Sequence, residues 1–435
     1  MAQLSPLLIA HPHAVSATGV QDFPLELIEH TIDHLHDDRV SLAACTVVCK
    51  SWTTPSHYHL FDTLRIIAGE DHQRLRQFAD FIPSSKFACK GVRHVYLSHS
   101  SNDAGPSLTE FEGAASADFD VGLLTSLLDK MSRLQSLTIS QTCWKEPSFP
   151  GILNEPKLHL PLLTKLTIGP LPFFHKIHHI QIVFDWFPSL RQLSMREGIL
   201  VDPRIAMGTA FTYPVAQPLV LPTTLRLTTL SYYSFVYSSF FLESISGTLS
   251  TRSLRFISVR ITSLQSVIGV GKLLRIVGPI LEGLDLDLQF LFRDLTHINS
   301  VDRYNEGWIR LNLMQLTVLR SLTLTISTSN VSDDRIHTTG TLLIPLLLEN
   351  IQSPDLRRFK LTFGDEENSA LTFIDIGSDW RSTEVQLLRW KALERVEFAY
   401  TPDTKFSEGR PITEAIYDCL KVVLPTLMSK GLIHR

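Results

Sequence analysis

The sequence predicts an α/β protein in which a short all-α segment precedes an irregular array of strand–helix repeats. A stem of three apolar residues recurs about ten times, helical patterns precede several of the stems, and two short amphipathic helices come before the first stem. With 435 residues, the chain is longer than one hydrophobic core normally serves, which also favours several domains or a repeat array.

Each stem carries apolar residues at offsets 0, 3 and 5, so its last two apolar residues alternate as in a strand with one buried face. The starts of successive stems are 27–42 residues apart, and several spacings exceed the roughly 20–29 residues of ordinary leucine-rich repeats. A possible earlier copy begins at Phe61. The ten main stems begin at Val92, Leu134, Leu163, Leu190, Leu227, Leu254, Leu281, Leu319, Leu356 and Leu393.

Helical patterns precede several stems, within residues 120–131, 272–277, 342–351 and 384–390. One helix and one short strand cannot bury their own apolar face, whereas stacked copies can. The sequence therefore predicts an irregular leucine-rich-repeat solenoid, a right-handed α/β horseshoe, over residues 63–412. Residues 413–435 are predicted to form a C-terminal capping helix, with residues 413–428 helical and Gly431 at its end.

Two helices are predicted near the N-terminus. Residues 23–35 form the first, with Asp22 as its cap and Pro24 in its first turn, where proline is tolerated. Residues 41–52 form the second, which Pro55 is expected to end or to follow with a turn. One side of this second helix carries Leu42, Cys45, Val48, Cys49 and Trp52.

The order of residues in this segment resembles the F-box, whose pattern opens on Leu-Pro-x-Glu-Leu and closes on Val-Cys-Arg-x-Trp. The resemblance covers residues 22–62 and is similar to the longer form found in many fungal F-box proteins. Phe23 replaces the first leucine of the pattern, and Lys50 replaces its arginine. The matching residues are Phe23-Pro24-x-Glu26-Leu27, Ile32, Leu35, Leu42 and Val48-Cys49-Lys50-x-Trp52.

The resemblance implies that these helices dock on the Skp-type adaptor of an SCF-type cullin–RING ubiquitin ligase, while the repeats bind the protein to be ubiquitinated. Leu25 and Ile28 are expected on the exposed side. Alternatively, Ile32, Leu35, Leu42 and Trp52 mostly hold the helices together. The alternative function is a leucine-rich-repeat scaffold with no ubiquitin role, whose N-terminal helices are only a cap. The implied adaptor contacts are Pro24, Leu25, Leu27, Ile28, Ile32, Leu35, Leu42, Val48 and Trp52.

A second binding surface is predicted on the concave face of the repeats, where residues at offsets 2, 4 and 6 of each stem point away from the core. Most of the residues at offsets 4 and 6 are small and carry hydroxyl groups, as β-surfaces tolerate. Arg196, Tyr233 and Arg260 are candidates to receive an acidic or phosphorylated segment, although isolated surface charges are usually only solvated. The predicted partner-binding residues are Arg196, Tyr233, Arg260, Asp285, Asp287 and Lys360.

Composition argues against several classes of protein. A net charge of −4 and the lack of a long basic run do not fit a nucleic-acid binder. No window reaches about 18 uninterrupted apolar residues, so no membrane span is expected. The five cysteines are few and scattered, which favours the reducing cytoplasm or nucleus. Residues 1–21 are expected to be a disordered tail without the charged start of a signal peptide.

Metal and catalytic motifs are weak. His30 and His34 have the i, i+4 spacing of a helical metal site, with His36 nearby, but no His-Glu-x-x-His motif is present, so a polar helix face is expected. Cys45 and Cys49 are interpreted as buried thiols. We therefore expect no metal, no cofactor and no enzymatic activity. Two further motifs are incomplete: His175, His178 and His179 lack a ligand partner, and residues 269–272 lack the spacing of a phosphate loop.

Overall fold

The chain divides into two compact units, residues 1–62 and residues 63–435. The computed structural model describes residues 24–67, 73–98, 121–140, 143–144, 160, 162–169, 173–174, 184–196, 222, 225–233, 241–242, 245–246, 252–288, 308–326, 343–364, 367–376, 379–400 and 410–434. The predicted tail, Asp22, Phe23 and the histidines at positions 175, 178 and 179 lie outside these residues.

Three helices make up the described part of the first unit: α1 (Leu25–His34), α2 (Arg39–Cys45) and α3 (Lys50–Asp62). Their core consists of Ile28, Ile32 and Leu42, with side chains from α3 and the end of α1 packed against it. Asp38 caps α2 by accepting hydrogen bonds from the backbone amides of Val40 and Ser41, both at 3.1 Å. The hydrogen bonds of this carboxylate to Ser41 hold its pKa below the ordinary value.

The prediction of one helix over residues 41–52 was wrong. The chain turns at residues 46–48, and α3 then continues through Pro55 to Asp62. Threonine hydroxyls stabilise this turn, because Thr46 donates to the carbonyl of Ala43 at 2.7 Å and Thr53 donates to the carbonyl of Thr46 at 2.9 Å. Side-chain bonds of this kind compete with a continuous helix, and apolar spacing alone does not reveal them.

Among the described residues of the second unit, eleven short strands pair in parallel and in chain order, which confirms the predicted stems, including the earlier copy at Phe61. Strand β14 pairs antiparallel with β13, β15 pairs parallel with β13, and the two-residue strands β4 and β6 pair with each other. The strands are β1 (Thr63–Ile67), β2 (His94–Ser98), β3 (Ser136–Ser140), β4 (Cys143–Trp144), β5 (Lys165–Ile168), β6 (Phe173–Phe174), β7 (Gln192–Arg196), β8 (Thr229–Tyr233), β9 (Phe256–Arg260), β10 (Gly283–Asp287), β11 (Ser321–Ile326), β12 (Arg358–Phe363), β13 (Arg395–Tyr400), β14 (Arg410–Pro411) and β15 (Ile433–His434).

The register aligns equivalent positions of successive stems. Leu284 lies beside Leu322, and Leu286 lies beside Leu324, and the same matching runs from β1 to β13. Two continuous rows of apolar side chains therefore form one face of the sheet, and all of their members are buried except the half-buried Leu64. The offset-3 row is Leu64, Val95, Leu137, Leu166, Leu193, Leu230, Ile257, Leu284, Leu322, Phe359 and Val396.

Helices between the strands cover this apolar face. The longest of the described helices, α7, begins at a capping box. In it, the side-chain hydroxyl of Ser263 accepts a hydrogen bond from the backbone amide of Ser266, and the hydroxyl of Ser266 accepts one from the backbone amide of Ser263. Residues 343–349 are helical as predicted. The labelled helices are α4 (Gln73–Ser84), α5 (Lys86–Gly91), α6 (Val121–Asp129), α7 (Leu264–Val277), α8 (Glu367–Ile376), α9 (Trp380–Leu388), α10 (Glu414–Val423) and α11 (Pro425–Ser429).

The predicted C-terminal helix is interrupted at Leu424, because Pro425 begins α11 as a separate short helix. The buried carboxylate of Glu384 accepts hydrogen bonds from the backbone amides of Thr426 and Leu427, at 2.7 and 2.9 Å. This contact satisfies two donors at the start of α11 and attaches it to α9. Gly431 follows with a φ of 67°, the left-handed conformation expected of a helix stop.

Candidate functional site

Several apolar side chains of the first unit are exposed to solvent. Leu25 and Leu27 of α1 leave 50% and 51% of their surface exposed, and Val48 leaves 62%. Val40 and Val47, which the sequence reasoning did not select, are exposed by 82% and 84%. We call these five residues the exposed apolar set. Val40 precedes the buried Leu42 by two residues, so its side chain lies on the opposite side of α2.

The remaining predicted adaptor contacts stabilise the unit itself. Ile28 was expected to be exposed, but only 6% of its surface is, since it packs on Ile32 and Leu42 in the core. Leu35 and Trp52 are partly buried against the same core, and Pro24 is exposed at the start of α1. The alternative weighed for Ile32, Leu35, Leu42 and Trp52, that they hold the helices together, fits these contacts.

The two cysteines of this unit differ. Cys45 is buried as expected, but Cys49 is exposed, because the turn at residues 46–48 rotates it away from the core. Its thiol lies 3.0 Å from the hydroxyl of Ser51.

On the second unit, five predicted or neighbouring residues join in a polar cluster across strands β8, β9 and β10. The hydroxyl of Ser258 donates to Oδ2 of Asp285 at 2.6 Å. The hydroxyl of Tyr233 lies within hydrogen-bonding distance of Ser258 and 3.2 Å from the same carboxylate oxygen. Nε of Arg260 donates to Oδ2 of Asp287 at 2.6 Å, and its guanidinium lies 5.6 Å from the centre of the Tyr233 ring.

The register explains the cluster. Ser258 pairs with Asp285, and Arg260 pairs with Asp287, so a hydroxyl donor and a guanidinium each stand beside a carboxylate on the neighbouring strand. Burial raises the pKa of the Asp285 carboxyl above its ordinary value, against the opposing hydrogen bond from Ser258. Burial also raises the pKa of the Tyr233 hydroxyl, and the charge of Asp285 adds to that shift.

Arg260 and Asp287 were predicted to be available to a partner, and this prediction was wrong. Both side chains are buried, with 4% and 7% exposure, and each is paired with the other. Their charges therefore neutralise each other inside the protein. Arg196 remains exposed beside Tyr233, and Lys360 is half-buried between Thr323 and Glu397.

An exposed aromatic ring borders the cluster and was not predicted, because candidates were selected only from offsets 4 and 6 although offset 2 was also expected to point away from the core. Phe256, at offset 2 of β9, is 49% exposed. Its ring lies over Gly283 of the next strand, where a Cβ atom would come within 2.6 Å of the ring carbon Cδ1. The sequence signal was a large aromatic residue with glycine at the same offset of the following stem.

Other candidate sites can be placed. Residues 269–272 lie within α7 and not in a phosphate-binding loop, and Gly271 packs closely on the backbone of Arg310. Within the described residues, no three or more histidine, cysteine or acidic side chains gather as metal ligands. None of the described helices has the length and apolar character needed to cross a membrane.

No family model matches the chain, and no curated protein matches it. Among solved structures, the chain is similar to TLR13 in its complex with ssRNA13, with 15% identity and a TM-score of 0.28 over 81% of this chain. It spans 42% of the TLR13 chain. It is also similar to a leucine-rich-repeat protein of Leptospira interrogans, with 11% identity, a TM-score of 0.23, and coverage of 90% of this chain and 96% of that one. At these low scores, the assignment of a leucine-rich-repeat type of sheet rests on the register of the chain's own stems.

Proposed function

We propose that this protein is the substrate-recognition subunit of an SCF-type ubiquitin ligase, in which the first unit docks on the Skp-type adaptor and the sheet of the second unit binds the target. The observation that carries the proposal is the exposure of Leu25, Leu27 and Val48, which belong to the F-box-like segment and stand on a helical unit with its own core. Exposed apolar side chains on such a small unit favour a protein partner that covers them.

The polar face of the sheet supports the second half of the proposal. Arg196, Phe256 and Lys360 stand around the polar cluster, and stacked strands repeat this face along the whole array. An exposed aromatic ring among charged residues has the composition of a protein-binding hot spot. The target would contact these three residues, whereas Arg260 and Asp287 are buried in their ion pair and would not contact it.

The direct test is a binding measurement between the full chain and the purified Skp-type adaptor. Fully burying a leucine side chain contributes about 1.5–3 kcal/mol, so covering the exposed half of Leu25 and of Leu27 contributes about 2 kcal/mol together. A Leu25→Ala/Leu27→Ala variant should then bind about 30-fold more weakly. A Leu25→Asp/Leu27→Asp variant should lose binding altogether, because it places two charges in the interface.

Two further variants separate docking from folding. Val385→Asp/Val422→Asp changes two apolar residues of the second unit that are more exposed than Leu25 and Leu27, and it should leave adaptor binding unchanged. Ile28→Asp places a charge in the core of the first unit, so the full chain should lose that unit's share of the helical circular dichroism together with adaptor binding. If the folded wild-type chain does not bind the adaptor, the ubiquitin-ligase proposal fails and a leucine-rich-repeat scaffold with a helical cap remains.

A further inference from the structure

Helix α1 presents two histidines whose side-chain nitrogens face each other. His30 and His34 are one helical turn apart, and both are exposed. Their Nε2 atoms are 3.3 Å apart, and the ring centres are 4.5 Å apart with the planes inclined by 66°. A polar helix face, as the sequence was interpreted, explains the exposure of both rings but not the direct approach of the two nitrogens.

This distance matches the separation of two ligands on one metal ion. A tetrahedral zinc ion has Zn–N bonds of about 2.0–2.1 Å, which places two nitrogen ligands about 3.4 Å apart. The rings of His30 and His34 therefore already hold their Nε2 atoms at the required spacing. Without metal, the same spacing accommodates an N–H···N hydrogen bond, which keeps both rings in this orientation.

We propose that His30 and His34 form a two-imidazole site for a first-row divalent transition metal ion, of the class of Zn²⁺, Ni²⁺ and Cu²⁺. Imidazole nitrogen suits these ions, whereas Ca²⁺ and Mg²⁺ require oxygen ligands. Because no third ligand group joins the pair within the described residues, water completes the coordination. The proposal is independent of docking on the adaptor.

Two neighbouring ligand-type side chains, His36 and Asp33, make other contacts. Nδ1 of His36 is 2.7 Å from the carbonyl oxygen of Asp33, and its Nε2 is 3.0 Å from Oδ2 of Asp37. Oδ1 of Asp33 is 2.8 Å from Nε2 of His59, which ties α1 to α3. His36 is therefore not part of the site, and it provides a matched control because it is an exposed histidine in the turn that directly follows α1.

The experiment is equilibrium dialysis of the chelator-treated full chain against NiCl₂, with circular dichroism to confirm that every variant is folded. Other histidines among the 17 of the chain also contribute to the total, so the readout is the difference between variants. The His30→Ala/His34→Ala variant should bind about one equivalent less than wild type, and His36→Ala should bind as much as wild type. Equal binding by wild type and the double variant would overturn the proposal.

A second readout tests whether the ion sits on α1. An ion that joins two positions one turn apart stabilises the helix that carries them. Ni²⁺ should therefore slow hydrogen exchange of the α1 backbone amides in wild type and in His36→Ala, but not in the single variant His34→Ala. Equal protection of α1 in wild type and His34→Ala would also refute the site.

Discussion

The buried ion pair of Arg260 and Asp287 offers a sharp test of the arrangement of the sheet. We consider Asp287→Leu, Arg260→Met and the double variant. The two side chains are 4% and 7% exposed, with Nε 2.6 Å from Oδ2, so solvent barely screens their interaction. Removing one partner takes this ion pair away from the buried charge that remains, and a loss of this kind costs about 3–5 kcal/mol.

The double variant should cost much less than the sum of the two single variants. Replacing both charges by apolar side chains of similar size removes the desolvation penalty together with the attraction, and such replacements are often neutral or stabilising. The contact of the Arg260 guanidinium with the Tyr233 ring is lost as well, which removes about 1–2 kcal/mol. We therefore expect a coupling energy of several kcal/mol between the two positions.

The assay is urea unfolding of all variants, monitored by far-ultraviolet circular dichroism. The same signal is used for every variant, because repeat arrays can depart from two-state behaviour. Arg320→Met and Glu282→Leu provide a matched control cycle, since these residues directly precede the neighbouring strands β11 and β10. That pair is 3.4 Å apart but 59% and 34% exposed, and surface pairs of this kind contribute about 0–1 kcal/mol. Single and double effects that simply add at Arg260 and Asp287, or a cost no larger than that of the control, would refute the reasoning.

Two further predictions follow from burial and from close packing. Burial in the folded protein raises the pKa of Asp285 above the ordinary aspartate pKa of about 3.9. The free energy of unfolding therefore falls as pH rises from the ordinary pKa through the raised pKa of the folded protein, because the folded state binds more protons there. Asp285→Asn should therefore gain stability over wild type as pH rises through this window; parallel stability curves from urea unfolding at pH 3–8 would contradict this. Gly271→Ala should destabilise the protein by about 3 kcal/mol in urea unfolding, because its Cβ would stand 1.7 Å from the carbonyl oxygen of Arg310. Gly431→Ala, in open space at a positive φ, should cost only about 1 kcal/mol, and an equal cost at both positions would refute the packing argument.

The strands were predictable because their signal is local. Each stem places apolar residues three and five positions after its start, so a window of about six residues identifies a strand and its buried face. The in-register pairing of equivalent offsets, such as Leu284 with Leu322, follows once the stems stack as repeats. The stem offsets also identified the residues on the polar face of the sheet, but they did not predict which of these residues are exposed.

The first unit shows where local patterns were insufficient. Apolar spacing correctly predicted α1 but extended α2 through residues 46–48, where threonine hydroxyls bond to the backbone and end the helix. The spacing also placed Ile28 with the exposed residues. Only the packing of α1 against α2 buries Ile28 on Leu42 and leaves Leu27 outside.

The residue pattern alone established the number and order of the described stems, the identity of their buried residues and the helical nature of the N-terminal segment. Each of these depends on periodicities of a few residues along one stretch of chain. The tertiary structure decided which charges are available to a partner, because the burial of Arg260 against Asp287 depends on groups 27 residues apart in sequence. It also decided which apolar side chains remain exposed, since burial depends on the helix or strand that covers a residue and not on the residue's own neighbours in the chain.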